Sequence, residues 1–572
     1  MHEGISFDEA FSRIGGKNFY QFLTLLPLGL ILVQASIIVS STPIFLTIPG
    51  IKCQINGALV PCLEEEICSP GSHYIFDNKD IRTVVYEWKL VCESHAYVYI
   101  IPAVFFIGIS IGTFIFGNVA EKQGRITALR WSASLSCLFE FIIFCSASAW
   151  FFTVSFLFLA ISLSGCVFIP FVYTIEIINS QVRPLFIFIL MGFWAVGFES
   201  SYMLAYSFNS WRPMIIASLG VGLLGLLLLW NIVVESPRFM AFNKSRYTKV
   251  RKLMEHIANR NSKSMFDEQL QGESINEYSE TAGKSHIGSP EGSANRSDDN
   301  IASNRSGAVA APYEYMGGAS NIMDREQELE RGQNIGYMDF LKLESLRIKF
   351  AIMVWIWVST SMAYHMYSNS KEMLDPDPTA NSMIYLSAKI GGWTFGLLLS
   401  ICFRSKRNLV FSICLASATI ALGALQDYTN IDPIYSFLAS YTSTNYLFIC
   451  LSIYTLEIFP TPARSLGMAI VSIVFWISVT WTYVLFKYAP MQLSAGVTIM
   501  IAVSIVFLFK LSDPGKRPLY DTIDEISSSV SSAISSDQSS IIVKKGNSAL
   551  RDNHSRGRSF NVLNEDASAI DD

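Results

Sequence analysis

The chain has 572 residues, 51% of them hydrophobic and only 16% charged, with 40 Phe, 24 Tyr and a mean hydropathy of +0.36. That balance excludes an ordinary soluble domain and indicates a polytopic membrane protein. A formal net charge of −5 is small for this length and gives no reason to expect a nucleic-acid partner.

Met1 to Lys17 is polar and contains glycines, without the basic, apolar and small regions of a cleavable signal. Windows of about twenty residues, enough to cross a roughly 30 Å hydrocarbon core, follow near 20–46, 95–119, 127–149, 151–175, 185–207 and 213–234. A second set lies near 348–370, 380–402, 408–426, 433–457, 466–488 and 491–511. The expected fold is an all-α membrane protein, with twelve transmembrane helices as two six-helix bundles. Its expected parts are an N-terminal segment 1–19, a first bundle 20–234 with a Cys-bearing loop 47–94, a linker 235–346, a second bundle 347–511 and a disordered tail 512–572.

Four of the ten cysteines, Cys53, Cys62, Cys68 and Cys92, crowd into that first loop. No Cys-x-x-Cys pair with metal-ligand spacing occurs among them, so two disulfides on an extracytoplasmic face are the expectation, their pairing open. Between the bundles, the run Lys244 to Arg260 is basic and helix-compatible. The stretch from about Asn261 to Gln333 is rich in Ser, Asn, Gly and Glu and reads as disordered. Asn295 and Asn304 are glycosylation acceptors only if this linker faces a lumen, and the basic charge nearby argues against that.

Charges between spans set the orientation. Lys122, Arg125 and Arg130 follow span 2, Arg183 follows span 4, and Arg404, Lys406 and Arg407 follow span 8. Arg464 follows span 10, and Lys516 and Arg517 follow span 12. The alternate loops are poor in Lys and Arg, which places both termini and the linker in the cytoplasm. Two such halves imply a repeat about an axis along the membrane normal, with a water-lined pocket between them. Gly283-Lys284-Ser285 lacks the upstream Gly of a phosphate-cradling loop, which argues against ATP-driven movement. No cluster suggests a metal, a cofactor or nucleophilic catalysis, so no enzyme activity is expected.

Spans 2 and 3 are joined by Gly117-Asn-Val-Ala-Glu121-Lys122-Gln-Gly124-Arg125, where glycines allow a tight turn and the carboxylate can face a helix N-terminus. This turn resembles the signature of the major facilitator superfamily, with Glu121 in place of the usual Asp and Ile126 where a further basic residue is common. Other strings are similar to the organic cation and anion transporter family of solute carriers within it. They include Glu87-Trp88-Lys-Leu-Val-Cys92, Glu176 with Arg183, Ala205-Tyr206 before Trp211-Arg212, and Glu235-Ser-Pro-Arg238-Phe. Further matches are Tyr454-x-x-Glu457-Ile-Phe459-Pro460-Thr461-x-x-Arg464-x-x-Gly467 and the close at Thr522-Ile523. The resemblance implies alternating-access transport of small organic solutes across the bilayer. Glu176/Arg183 and Glu457/Arg464 share a seven-residue separation, two helical turns, and each Glu is expected to meet a basic gate residue.

For the solute, Thr360-Ser-Met-Ala-Tyr364-His365 and Ser387-Ala-Lys389 resemble strings of the anion-carrying members, which leans the expectation slightly toward organic anions. The span 11 position that carries a charge in the family falls on Trp476. The cavity is expected to be lined by Tyr206, Tyr364, His365, Lys389 and Trp476. Glu199, a second intramembrane charge, is open to three readings: a cation ligand, a proton acceptor, or a partner of Lys389 that would neutralise the cavity. Arg404-Ser-Lys-Arg407 lacks the second signature turn, so the second half is expected to lack its own latch. A sugar or neutral-solute carrier, or a non-transporting membrane subunit, are the alternatives. The Ser-rich tail and the linker offer surfaces for kinases or cytoplasmic partners.

Overall fold

The computed structural model describes residues 18–55, 58–61, 67–68, 74–76, 82–208, 210–243, 247–261, 344–368, 378–425, 432–488 and 490–511. The expectations for the central linker beyond 261, for the tail, and for Cys62 lie outside the described residues.

Twelve helices of 19 to 29 residues dominate them. In chain order these are α1 (Phe19–Phe45), α2 (Ala96–Gln123), α3 (Arg125–Phe144), α4 (Ala149–Ile177), α5 (Arg183–Phe208), α6 (Arg212–Ile232), α7 (Glu344–Ser368), α8 (Pro378–Cys402), α9 (Ser405–Ala424), α10 (Pro433–Ile458), α11 (Thr461–Tyr488) and α12 (Pro490–Leu508). Eight of the twelve (α1 to α6, α8 and α11) contain apolar windows long enough to cross a membrane. The others are more polar or shorter in their apolar part: α10 buries Ser440, Ser443, Thr444 and Asn445, and α7 opens on Glu344, Arg347 and Lys349.

The packing repeats. In the first six helices α1 packs on α5 and α6, α4 on α2 and α3, and α3 on α6. Adding six to each number gives the main packings of the other six: α7 on α11 and α12, α10 on α8 and α9, and α9 on α12. The contacts between the sets, α2 with α11 and α5 with α8, exchange under the same operation. Two like-folded bundles related by an approximate twofold account for every one of these pairs. In lipid, helix association depends on close approach of small residues more than on apolar burial. A Cβ on Gly112 of α2 would fall 2.0 Å from the Ile161 carbonyl of α4; at the equivalent place, one on Gly392 of α8 would fall 2.3 Å from that of Thr442 of α10.

The segment after α1 forms a three-stranded antiparallel sheet, with β1 (Ile51–Ile55) between β2 (Ala58–Pro61) and β3 (Tyr74–Phe76). Cys68 is bonded to Cys92, and Cys53 is also in a disulfide. The short helix Val84–Trp88, capped by Thr83, brings this segment onto the bundle. Both Glu87 oxygens accept from Arg212 Nη1, at 2.6 and 2.7 Å, and Glu87 Oε2 also accepts from Trp211 Nε1 at 2.8 Å.

At the other end Ser236 caps the helix Pro237–Asn243, with Pro237 at its first position. The basic run then forms the helix Tyr247–Arg260, whose Val250, Met254 and Ile257 cluster with Tyr20 at the start of α1. Asn261 ties it down, accepting from Tyr20 N at 2.9 Å and donating to Gln21 at 3.1 Å.

Candidate functional site

The α2–α3 turn is built around Gly124, whose φ of +122° suits glycine and which turns the chain straight into α3. A Cβ there would fall 2.3 Å from Glu235 Oε2. Glu235 sits over the α3 N-terminus, accepting from Ile126 N and Thr127 N as well as from its own neighbour Ser236 N. Those donors and the helix dipole favour the anion, but burial outweighs them and raises the Glu235 carboxyl above its ordinary range. The sequence assigned that place to the carboxylate of the turn, Glu121. The structure corrects this: Glu121 instead pairs with Arg125, across the turn at the start of α3, at 3.3 Å.

Arg125 is the hub. Fully buried, it donates to Glu176 at 3.2 Å, to Glu121 at 3.3 Å, to the Ala120 carbonyl and, across to the second bundle, to the Thr461 carbonyl at 3.0 Å. Its guanidinium lies 4.4 Å from the centre of the Phe239 ring. Glu176 also accepts from Arg464 of α11 at 3.3 Å, while Arg183 of α5 lies 3.8 Å from Glu457 of α10. Each Glu of the seven-residue pairs therefore meets the Arg of the opposite bundle. Arg238 is fully buried in the same region, as is Gly117 on α2. In place of a second signature turn, Ser405 at the start of α9 donates to Glu457 at 2.6 Å and Lys406 donates to the Leu511 carbonyl, so the second half is not without ties here.

Between the bundles is a cavity of about 90 Å³, walled by α1, α4 and α5 on one side and α7, α10 and α11 on the other. Tyr364, His365 and Trp476 line it, together with Trp194, Phe198, Trp357 and Phe475. The expected water-lined character is not what is found: the walls are mainly aromatic, because these spans present Trp, Phe and Tyr inward where a hydrophilic pocket would need hydroxyls and amides. Trp476 stacks on Phe106 of α2 across the bundle interface, at 6.0 Å and 18°.

Lys389 and Glu199 are not among the lining residues. Lys389 Nζ donates to Glu199 Oε1 at 2.7 Å, both groups are buried, and the pair joins α8 of one bundle to α5 of the other. Pairing is thus the reading of Glu199 that the geometry takes. Lys389 also lies 3.7 Å from the centre of the Phe198 ring, and Phe198 lines the cavity. The lean toward anions rested on an unpaired Lys389 and loses its basis. Tyr206 lies within α5, but its side chain is outside the described residues.

The comparisons agree with this architecture. The family described as "Sugar (and other) transporter" matches residues 69–289. The human organic cation/carnitine transporter 2 is 22% identical over 475 residues, 81% of this chain and 75% of that one. The mouse solute carrier family 22 member 4 is 29% identical over 203 residues, 35% and 36% of the two chains. The proton:xylose symporter XylE, bound to 6-bromo-6-deoxy-D-glucose, superposes with a TM-score of 0.59 at 13% identity, covering 90% of this chain and 99% of that one. By sequence the chain is similar to solute carrier 22 members, and its fold is that of the major facilitator proteins.

The disulfide-bearing segment, the turn after α2 and the α4 and α10 ends all carry the strings that announced the resemblance. The structure brings these strings together: Glu87 meets Trp211 and Arg212, and Glu176 meets Arg125 and Arg464. Sequence reasoning missed Glu140 of α3, a fully buried carboxyl bonded to Gln34 of α1 and Ser218 of α6. The signal was available, since an acid inside an apolar span is costly wherever it occurs.

Proposed function

We propose that this chain is a secondary transporter that moves small amphiphilic organic ions, cations or zwitterions, across the bilayer by alternating access. The observation that carries the reading is the aromatic cavity between two like-packed bundles, beside which both intramembrane charges nearby are already paired. Indole and phenol faces hold a positive group through their quadrupole and an apolar body by contact. An anion would have to break Lys389 from Glu199 before meeting a cation. A zwitterion can exchange with the pair, its ammonium going to Glu199 and its carboxylate to Lys389.

At about 90 Å³ the cavity is below the roughly 300–1,000 Å³ of a ligand-filled pocket, as suits a state closed around its centre. The Arg and Glu network would hold the cytoplasmic gate in this state, and its breakage would open the cavity inward. The orientation follows the Lys and Arg bias, with both termini cytoplasmic and the disulfide-bearing segment outside, in the plasma membrane. Neutral sugars fit less well, since a polyhydroxyl solute needs more hydrogen-bonding groups than His365, Tyr364, Ser452 and Ser472 supply.

Uptake into proteoliposomes of tetraethylammonium, carnitine, benzoate and xylose tests the reading. Saturable uptake of tetraethylammonium or carnitine, lost in Trp476→Ala, is the expected result. Saturable uptake of xylose alone would replace it with the neutral-solute reading, and uptake of benzoate alone would restore the anion reading.

A further inference from the structure

Glu140 stands one helical turn from the Phe144 end of α3, the end on which the disulfide-bearing segment docks through Arg212. It is fully buried, and no Lys or Arg reaches it among the described residues. Its Oε1 accepts from Gln34 Nε2 at 3.1 Å and from Ser218 Oγ at 3.1 Å, so α1, α3 and α6 converge on a single carboxyl oxygen. Gln34 Nε2 also donates to Ser136 Oγ at 3.1 Å. That leaves two oxygens, Glu140 Oε2 and Gln34 Oε1, both buried and both without a hydrogen-bond partner among the described residues.

An ionised carboxylate and an amide carbonyl are both acceptors only, so neither can satisfy the other. A buried carboxylate with no cation is costly inside an apolar span. A single hydrogen on Oε2 removes the charge and makes that oxygen a donor, and Gln34 Oε1, on the same amide whose nitrogen bonds Glu140 Oε1, is an acceptor in want of one.

We propose that Glu140 is an intramembrane proton-binding site, separate from the aromatic cavity, whose proton is shared between Glu140 Oε2 and Gln34 Oε1. The packing favours a proton over a metal ion: a Cβ on Gly222 would fall 2.3 Å from Gln34 Cδ, so α6 is pressed against the amide. The titratable groups that face Glu140 are Cys137 on its own helix and Cys166 on α4. From α1 and α6 the facing groups are Gln34 and Ser218, which do not titrate. The charged residues of α2, Glu121 and Lys122, lie at the opposite end of the bundle. The site bears on the cavity through α1, which carries Gln34 and, five residues on, the lining residue Val39. Ser40 of α1 in turn donates to Ser201 of α5, the helix of Glu199. With its proton, Glu140 holds α1, α3 and α6 together along that wall.

Infrared difference spectroscopy of the full chain in lipid nanodiscs at neutral pH reads the proton directly and needs no known solute, so its outcome is independent of the transport reading. Glu140→Gln is expected to remove one carboxylic-acid C=O band, and Gln34→Leu to move the same band to higher frequency by taking away its acceptor. The Gln34→Leu measurement stands alone should Glu140→Gln fail to fold. A Glu140→Gln spectrum that keeps every carboxylic-acid band overturns the proposal, as does a band unmoved by Gln34→Leu. Replacing sodium by potassium in the presence of EDTA is expected to leave thermal stability unchanged; a drop that Glu140→Gln abolishes would make the occupant a metal cation and overturn the proton.

Discussion

Arg464 and Glu176 are 288 residues apart in the chain and come from opposite bundles, yet Arg464 Nη1 donates to Glu176 Oε1 at 3.3 Å in full burial. The same oxygen accepts from Arg125, so one carboxylate is shared by a guanidinium of its own bundle and one of the other. Cutting one partner from a buried pair leaves the rest uncompensated, at a cost of about 3–5 kcal/mol. Glu176→Gln is therefore expected to loosen both bundles at this end, while Arg464→Met leaves Glu176 still held by Arg125 and is milder. Thiol-reagent labelling of a cysteine introduced at Ser465 checks this: labelling should rise more in Glu176→Gln than in Arg464→Met, and equal labelling would refute the shared-acceptor geometry.

Lys389 and Glu199 make a further bridge between the bundles, away from the Arg464 and Arg183 pairs, and here the expected result is rescue. Glu199→Gln alone leaves a buried ammonium without its anion, and Lys389→Met alone leaves a buried carboxylate. The double variant leaves neither and should recover most of the lost stability, with a coupling of about 1–3 kcal/mol in a double-mutant cycle. Glu199→Gln also adds one positive charge beside the cavity. Organic anion uptake absent from the parent should then appear, and a variant that still ignores anions would place the pair outside the solute path.

How far this was legible in the sequence depended on spacing. The gate strings are dense in Gly, Glu and Arg over a few residues, so Glu121, Arg125, Glu176 and Arg464 were visible as a set. Their crosswise pairing was not, because nothing local to Glu457 indicates that Arg183, some 270 residues earlier in the chain, will stand beside it. Glu140 was hidden differently: set within Leu138-Phe139-Glu140-Phe141-Ile142, a single acid hardly alters the apolar reading of its window. The cavity's aromatic nature was also obscured, since Trp and Phe in a span face lipid as readily as a pocket until packing decides.

Gly124 and Glu235 make a local prediction. Gly124→Ala places a side chain at a φ of +122° and against Glu235 Oε2, with a cost of about 1–3 kcal/mol from the strain alone. Glu235→Ala removes the acceptor over α3 and should cost about 1–2 kcal/mol. Glu235→Gln has a further signature. Burial raises the carboxyl of Glu235 in the folded chain above the ordinary 4.5, so the fold binds its neutral form more tightly. The stability this group contributes is greatest below the unfolded value and is lost as pH rises through the raised one. Glu235→Gln should flatten that part of the pH profile of thermal unfolding, whereas an unchanged slope would mean the carboxyl is not perturbed.

Glu87 and Arg212 set how firmly the disulfide-bearing segment is held. Both are about one-third exposed, so solvent screens the pair and Arg212→Met should cost only about 1 kcal/mol. Trp211→Ala removes more, because this ring is buried between Phe45, Phe152 and Trp88 as well as bonded to Glu87. A loss of about 3–5 kcal/mol is expected for it. Limited proteolysis within the segment should accelerate far more in Trp211→Ala than in Arg212→Met.

Trp476 and Trp481 lie on the same helix, α11, and their environments differ in a way that separates packing from solute contact. Trp481 is 63% exposed on the bundle surface, where lipid would cover it, whereas Trp476 is 3% exposed, lines the cavity and stacks on Phe106 of the other bundle. Trp481→Ala should leave both stability and uptake near the parent. Trp476→Ala removes the cavity wall and an inter-bundle stack together, so its effect on uptake needs a control that keeps the stack. Trp476→Phe supplies it: a smaller ring can still meet Phe106 but offers a weaker face to a cation. If the ring binds the solute's positive group, Trp476→Phe should raise KM for an organic cation by about tenfold, close to 1.4 kcal/mol, while thermal stability changes little. A loss of stability in Trp476→Phe with KM unaltered would make Trp476 a packing residue and remove it from the site.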